Sequence, residues 1–121
     1  MPALSPAVLD HFQNPRNVGE LPPPAVTVEV TNPACGDILR LSVDVDAGRI
    51  KEVRFKVRGC VASIACGSLL TELVRGKTLE EAGRISADEV ISAIGGLPPE
   101  SGHAGVLAED ALKAALKAAS R

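Results

Sequence analysis

An α+β fold in two layers, a three-stranded antiparallel sheet with helices packed on one of its faces, is predicted by three features of the sequence. Between residues 26 and 58, apolar and polar residues alternate in three successive runs, the period of half-buried strands. After Gly59 the apolar spacing lengthens to that of helices and stays so to the end of the chain. Strands that precede helices, instead of alternating with them, segregate into one sheet layer and one helix layer. At 121 residues, with 45% hydrophobic and 23% charged side chains, the chain is expected to form a single domain, 1–121, that folds in water.

Each element has its own signal. Ser5 is an N-cap residue, Pro6 suits the first helical position, and Val8, Leu9 and Phe12 recur at helical spacing, so residues 5–13 form a short helix that Pro15 ends. Gly19 to Pro24 is rich in proline and glycine, and residues 1–24 are therefore expected to be a loosely attached helix and linker. Val26, Val28 and Val30 share one face of a first strand. Leu39, Leu41, Val43 and Val45 share one face of a second, beyond the turn Asn32-Pro33-Ala34-Cys35-Gly36-Asp37. Ala47-Gly48 reverses the chain into a third strand carrying Val53, Phe55 and Val57, and Ile50, out of phase, marks a bulge near Lys51-Glu52. In the helix after Gly59, Ala62, Ala65, Cys66, Leu69, Leu70 and Leu73 form an apolar stripe. Ser63, Gly67, Thr71, Glu72 and Arg75 are placed on the opposite side, and Gly76 stops the helix. Thr78 with Glu81, and Ser86 with Glu89, have the spacing of capping boxes and start two short helices, the second closed by Gly95-Gly96. Leu97-Pro98-Pro99 is a rigid loop, and residues 104–119 form a final amphipathic helix with Ala108, Leu112, Ala115, Leu116 and Ala119 inward.

Composition removes several functions. Thirteen basic against fifteen acidic residues give a net charge of -2, without the basic excess that holds a phosphate backbone. Phe12 and Phe55 are the only aromatic residues, too few to stack bases. No apolar run reaches the ~20 residues that cross a bilayer, and the first residues lack the basic-then-apolar pattern of a signal peptide. A cytoplasmic protein bound to neither nucleic acid nor membrane is expected. Cys35, Cys60 and Cys66 are then free thiols or metal ligands and not a disulfide framework.

The hairpins bring two of these thiols together. Cys35 lies in the turn between strands one and two, and Cys60 follows strand three. At ~3.3 Å per residue the outward and returning legs are both roughly 30 Å, so both thiols fall at one end of the sheet, beside Asp37. Cys60 immediately precedes a helix, whose dipole and unpaired amides favour the thiolate, the metal-binding form. His103, in the loop before the last helix, offers a fourth donor. Thiolate and imidazole suit zinc or iron–sulfur chemistry and not calcium or magnesium. The spacing alone also allows unrelated residues: Asp37 as a turn stabiliser and His103 at a helix terminus on the surface.

The stretches Leu9–Gly19 (LDHFQNPRNVG), Pro33–Asp37 (PACGD), Phe55–Leu69 (FKVRGCVASIACGSL), Gly76–Ala82 (GKTLEEA) and Leu107–Ala115 (LAEDALKAA) resemble the IscU-type iron–sulfur cluster assembly scaffolds, the family that includes the N-terminal domain of NifU. The resemblance runs in order along nearly the whole chain. It implies an α+β domain on which a transient [2Fe-2S] cluster is built from iron and from sulfur supplied by a cysteine desulfurase, then passed to apo-proteins: a scaffold, not an enzyme. It implies Cys35, Asp37, Cys60 and His103 as ligands, at a site where zinc is also found in the family.

This sequence departs from the family twice. The cysteine that usually follows the histidine is Ala104, so sulfur would have to be received by Cys35, Cys60 or Cys66, and an external thiol or a second chain in a homodimer is an alternative source of a further ligand. The family's Leu-Pro-Pro-Val-Lys loop reads Leu97-Pro98-Pro99-Glu100-Ser101, which argues against recognition by the dedicated chaperone. The alternative reading is a divergent zinc-binding paralogue that accepts or modulates persulfide sulfur without building a cluster. Cys66, on the apolar stripe, is read as a small buried hydrophobe, unless the first turn of its helix unwinds and brings the thiol to Cys60.

Overall fold

The structure is a computed structural model that describes residues 4–33 and 35–120; residues 1–3, Arg121, and Ala34 of the Pro33–Asp37 motif lie outside the described residues. Helix α1 (Pro6–Gln13) is followed by strands β1 (Val26–Thr31), β2 (Ile38–Asp46) and β3 (Arg49–Arg58). Then come helices α2 (Val61–Val74), α3 (Leu79–Ala82) and α4 (Ala87–Ala93), a 3-10 turn at Pro99–Ser101, and helix α5 (His103–Ala119). The strands form one antiparallel sheet in the order β1-β2-β3. Val28 sits opposite Leu41, and Leu41 opposite Phe55. The register shifts at Asp44/Val45, where Asp44 pairs with Glu52 and Val45 with Ile50, so Lys51 is the unpaired residue of the expected bulge.

One face of the sheet is dry. Leu39, Leu41, Ile50, Val53 and Phe55 point from it into a core closed by Leu70 and Val74 of α2 and by Leu107, Ala111 and Leu112 of α5. Each large side chain buried there contributes about 1.5–3 kcal/mol. Close approach of α2 depends on Gly67, because a Cβ at that position would stand 2.7 Å from Cδ2 of Phe55.

Two expectations need correction. Ser63, Gly67 and Thr71, placed on the outer side of α2, are buried together with Ser68. Gly67 faces the sheet at Phe55 and Val57, Ser63 faces Asp37, and Ser68 and Thr71 are covered by α1 and the chain that follows it. His11 Nδ1 is 2.7 Å from Ser68 Oγ, the Arg16 N–H donates to the same oxygen at 2.9 Å, and Asn17 Nδ2 donates to Thr71 Oγ1 at 2.9 Å. The segment expected to be loosely tethered is thus hydrogen-bonded to the body, with Val8 in the core and Ser5 Oγ donating to the Ile94 carbonyl. On the other side of its ring, His11 Nε2 lies 3.4 Å from Glu72 Oε1.

The second correction concerns the helix starts. Thr78 and Glu81 form the full reciprocal capping box, whereas Ser86 accepts from the Glu89 N–H without a reciprocal bond. His103 is the first residue of α5 and not part of the loop before it.

Candidate functional site

The site lies where the β1–β2 turn, the end of β3 and the first residue of α5 meet. The turn is a closed loop: the Asn32 N–H donates to the Asp37 carbonyl (2.9 Å) and the Gly36 N–H to the Asn32 carbonyl (2.8 Å). Gly36 takes a φ of +76°, a left-handed conformation that glycine adopts without strain. Asn32 Nδ2 also reaches the His103 carbonyl at 3.4 Å, which ties this loop to α5.

Three donors converge directly. The ligand atoms of Cys35, Asp37 and His103 all lie within 4.8 Å of one another, and His103 Nε2 is 3.9 Å from Asp37 Oδ2. Cys60 joins through the histidine, its Sγ lying 3.8 Å from His103 Nε2. All four residues singled out from the sequence are therefore neighbours. Cys35 and Cys60 are exposed, whereas Asp37 is buried. Two soft sulfurs, an imidazole nitrogen and a carboxylate oxygen make a donor set for zinc or iron.

Asp37 is held by α2. Its Oδ2 accepts from the Ser63 hydroxyl at 2.6 Å and from the Cys60 N–H at 3.2 Å, so the carboxylate serves as the cap that α2 otherwise lacks, Cys60 at the N-cap making no side-chain cap bond of its own. Burial pushes the carboxyl towards its neutral form. The bonds from Ser63 and Cys60, with the side chains of Cys60 and Cys35, outweigh that and hold its pKa below the ordinary value. Gly59 supplies the remaining wall, since a Cβ there would lie 2.5 Å from the Asp37 Cγ.

Ser63 and Gly59 escaped the sequence reading. A signal for Ser63 exists: it lies three residues after Cys60, hence on the same side of the first helical turn, and its Oγ is 3.4 Å from Cys60 Sγ. Cys66 is fully buried, and burial, with the nearby Cys60, pushes its thiol up to about 12. Ala104 is also buried, inside α5.

A small α+β domain that presents two accessible thiols, a carboxylate and an imidazole at one end of its sheet is a metal- or cluster-handling domain by its chemistry. Comparison with known proteins narrows the class. The family model described as NifU-like N terminal domain matches residues 3–120, and the chain belongs to that family. It is 47% identical over 118 residues to the iron–sulfur cluster assembly scaffold protein IscU of Haemophilus influenzae, covering 94% of this chain and 93% of that one. To the scaffold protein IscU 1 of Archaeoglobus fulgidus it is 46% identical over 112 residues, 93% of this chain and 73% of the other. Among solved structures, that of a putative iron–sulfur cluster assembly scaffold protein for the SUF system from Fervidobacterium islandicum superposes with a TM-score of 0.76 at 24% identity, covering 93% of this chain and 95% of that one, a likeness of fold. No helix among the described residues is long and apolar enough to cross a membrane.

Proposed function

We propose that the protein is an iron–sulfur cluster assembly scaffold. It takes up iron and sulfide, holds them as a transient [2Fe-2S] cargo through Cys35, Asp37, Cys60 and His103, and passes the cluster to apo-proteins. The carrying observation is the convergence of those donors, drawn from three separate elements, on one end of the sheet. The whole of 1–121 acts as one domain in this reading. Sulfur comes from the persulfide of a cysteine desulfurase, and the thiols able to receive it are Cys35 and Cys60, because Cys66 is buried and position 104 is alanine. Two electrons from an external reductant then convert that sulfur to the sulfide of the cluster.

The donor set also accounts for lability. Thiolates bind iron in clusters firmly, whereas a carboxylate is a harder and poorer partner for a sulfide-bridged iron. Ligands must be deprotonated to bind, and Asp37 meets that condition across the physiological range because its pKa is held low.

The test is iron, acid-labile sulfide and zinc per chain, measured after anaerobic purification and again after reconstitution with iron and sulfide. Iron and sulfide in a one-to-one ratio, lost in Cys35→Ala and in Cys60→Ala, is the expected result. Zinc retained with no cluster formed overturns the scaffold reading in favour of a zinc-binding sulfur acceptor.

A further inference from the structure

Asp37 has two claims on it. In the proposed function its carboxylate is a donor to the bound cargo. In the metal-free chain the same oxygen, Oδ2, is the one that Ser63 Oγ–H and Cys60 N–H hold and the one nearest His103 Nε2, at 3.9 Å. A metal taken by Oδ2, the oxygen nearest His103, would draw on the lone pairs that Ser63 and Cys60 now occupy.

We infer that Ser63 is a positioning residue that competes with bound metal for the Asp37 carboxylate and thereby speeds release. This inference rests on the assignment of Asp37 and the two thiols as donors.

Three features support it. Ser63 is buried, 1% exposed, so its hydroxyl has few alternative partners. Its bond to Asp37 is the shorter of the two, 2.6 Å against 3.2 Å from Cys60 N–H, and hydrogen bonds to an ionised acceptor are about twice as strong as neutral ones. The Gly59 wall, with no room for a Cβ beside Asp37, leaves the carboxylate little freedom to move away from its present seat. As metal leaves, Asp37 returns to a ready partner and does not stay bare in a buried site. Without the Ser63 hydroxyl the Cys60 N–H still places the carboxylate, but the pull away from the metal is weakened.

Cobalt(II) alone serves as the probe, because thiolate-to-cobalt absorption reports ligation directly and needs no cluster synthesis. The chain is loaded with one equivalent, mixed with excess chelator, and the loss of that absorption is followed in the parent, Ser63→Ala, Ser63→Thr, Asp37→Ala and the Ser63→Ala/Asp37→Ala pair. Ser63→Ala is expected to release cobalt about tenfold more slowly, the weight of one hydrogen bond to a charged group. Ser63→Thr, which keeps a hydroxyl on the same carbon, returns the rate to that of the parent. In the Asp37→Ala background the serine substitution changes nothing, which a merely structural role would not predict. Release from Ser63→Ala at the parental rate or faster overturns the inference, as does an equal slowing in the Asp37→Ala background. A parent that shows no thiolate-to-cobalt band overturns the donor assignment itself, and the inference with it.

Discussion

Gly59→Ala isolates the seat of Asp37. Gly59 is not among the glycines with positive φ, so alanine imposes no backbone strain and acts through its methyl group alone. That methyl would lie 2.5 Å from Asp37 Cγ, 2.7 Å from Oδ2 and 2.9 Å from Cβ, where carbon atoms pack at about 3.5–4.0 Å. The carboxyl must therefore retreat by about 1 Å. A retreat of that size takes the Ser63 bond, now 2.6 Å, out of hydrogen-bonding range and breaks the weaker bond from Cys60 N–H. Two bonds to a charged acceptor are at stake, each worth about 1.5–3 kcal/mol. Water recovers part of this at a site bordered by exposed cysteines, so a loss of about 2–4 kcal/mol is expected, a fall in Tm of about 10 °C for a domain of this size. Urea unfolding measures it, and the same preparation gives cobalt affinity, expected to weaken at least about tenfold as the donors lose their arrangement. The decisive control adds Gly59→Ala to Asp37→Gly, where nothing remains to collide and the second substitution costs little. A single variant with the stability and cobalt affinity of the parent would refute this account of the site.

Other outcomes follow from the packing and the titrating groups. Gly67→Ala pushes a methyl to 2.7 Å from the Phe55 ring and 3.3 Å from Val57, and thermal melts should show a loss of about 1–3 kcal/mol from overpacking with metal uptake retained. Burial and the neighbouring Arg16 charge lower the pKa of His11 from its ordinary 6.5, outweighing Glu72 and Asp10, which act to raise it. The folded chain thus binds fewer protons at His11 than the unfolded one: stability is full above pH 6.5 and declines as the pH falls below it. Tm is expected to drop between pH 7.5 and 5.5, with exchange of the α1 amides rising first and His11→Ala removing the slope; a rising Tm over that range refutes the sign. Iodoacetamide should label Cys35 and Cys60 and spare Cys66, whose thiol is both buried and pushed up to about 12. Cys66→Ala should leave reconstituted iron and sulfide unchanged.

Much of this was legible because it is periodic. The valines of β1, the alternation in β2 and the break at Ile50 each report a local pattern, and the pattern is what the sheet imposes. The approach of Cys35, Asp37 and Cys60 also followed from counting residues along two legs of nearly equal length. His103 could be named but not placed, because its position depends on how α5 crosses the sheet, a matter of packing between distant elements. The polar side of α2 misled for a related reason. Ser63, Ser68 and Thr71 look solvent-facing by composition, yet α1, Arg16, Asn17 and Asp37 supply a partner for each hydroxyl. No spacing within α2 records the partners of Ser68 and Thr71. Gly59 shows the limit most clearly, since what matters there is an atom the residue does not have.

The short segment after α1 carries a consequence for association. Val18 lies parallel to Phe55, the Gly19 N–H donates to the Phe55 carbonyl and the Phe55 N–H to the Asn17 carbonyl, so this stretch seals part of the outer rim of β3, and Arg49 with Thr78 covers its start. On the opposite rim, no such cover lies over β1 among the described residues. A ribbon that can be extended on one side only admits a single extra strand and then stops. Chains meeting through their β1 rims would close as a pair and could not run on into fibres, a safeguard for a domain that also exposes the thiols of Cys35 and Cys60.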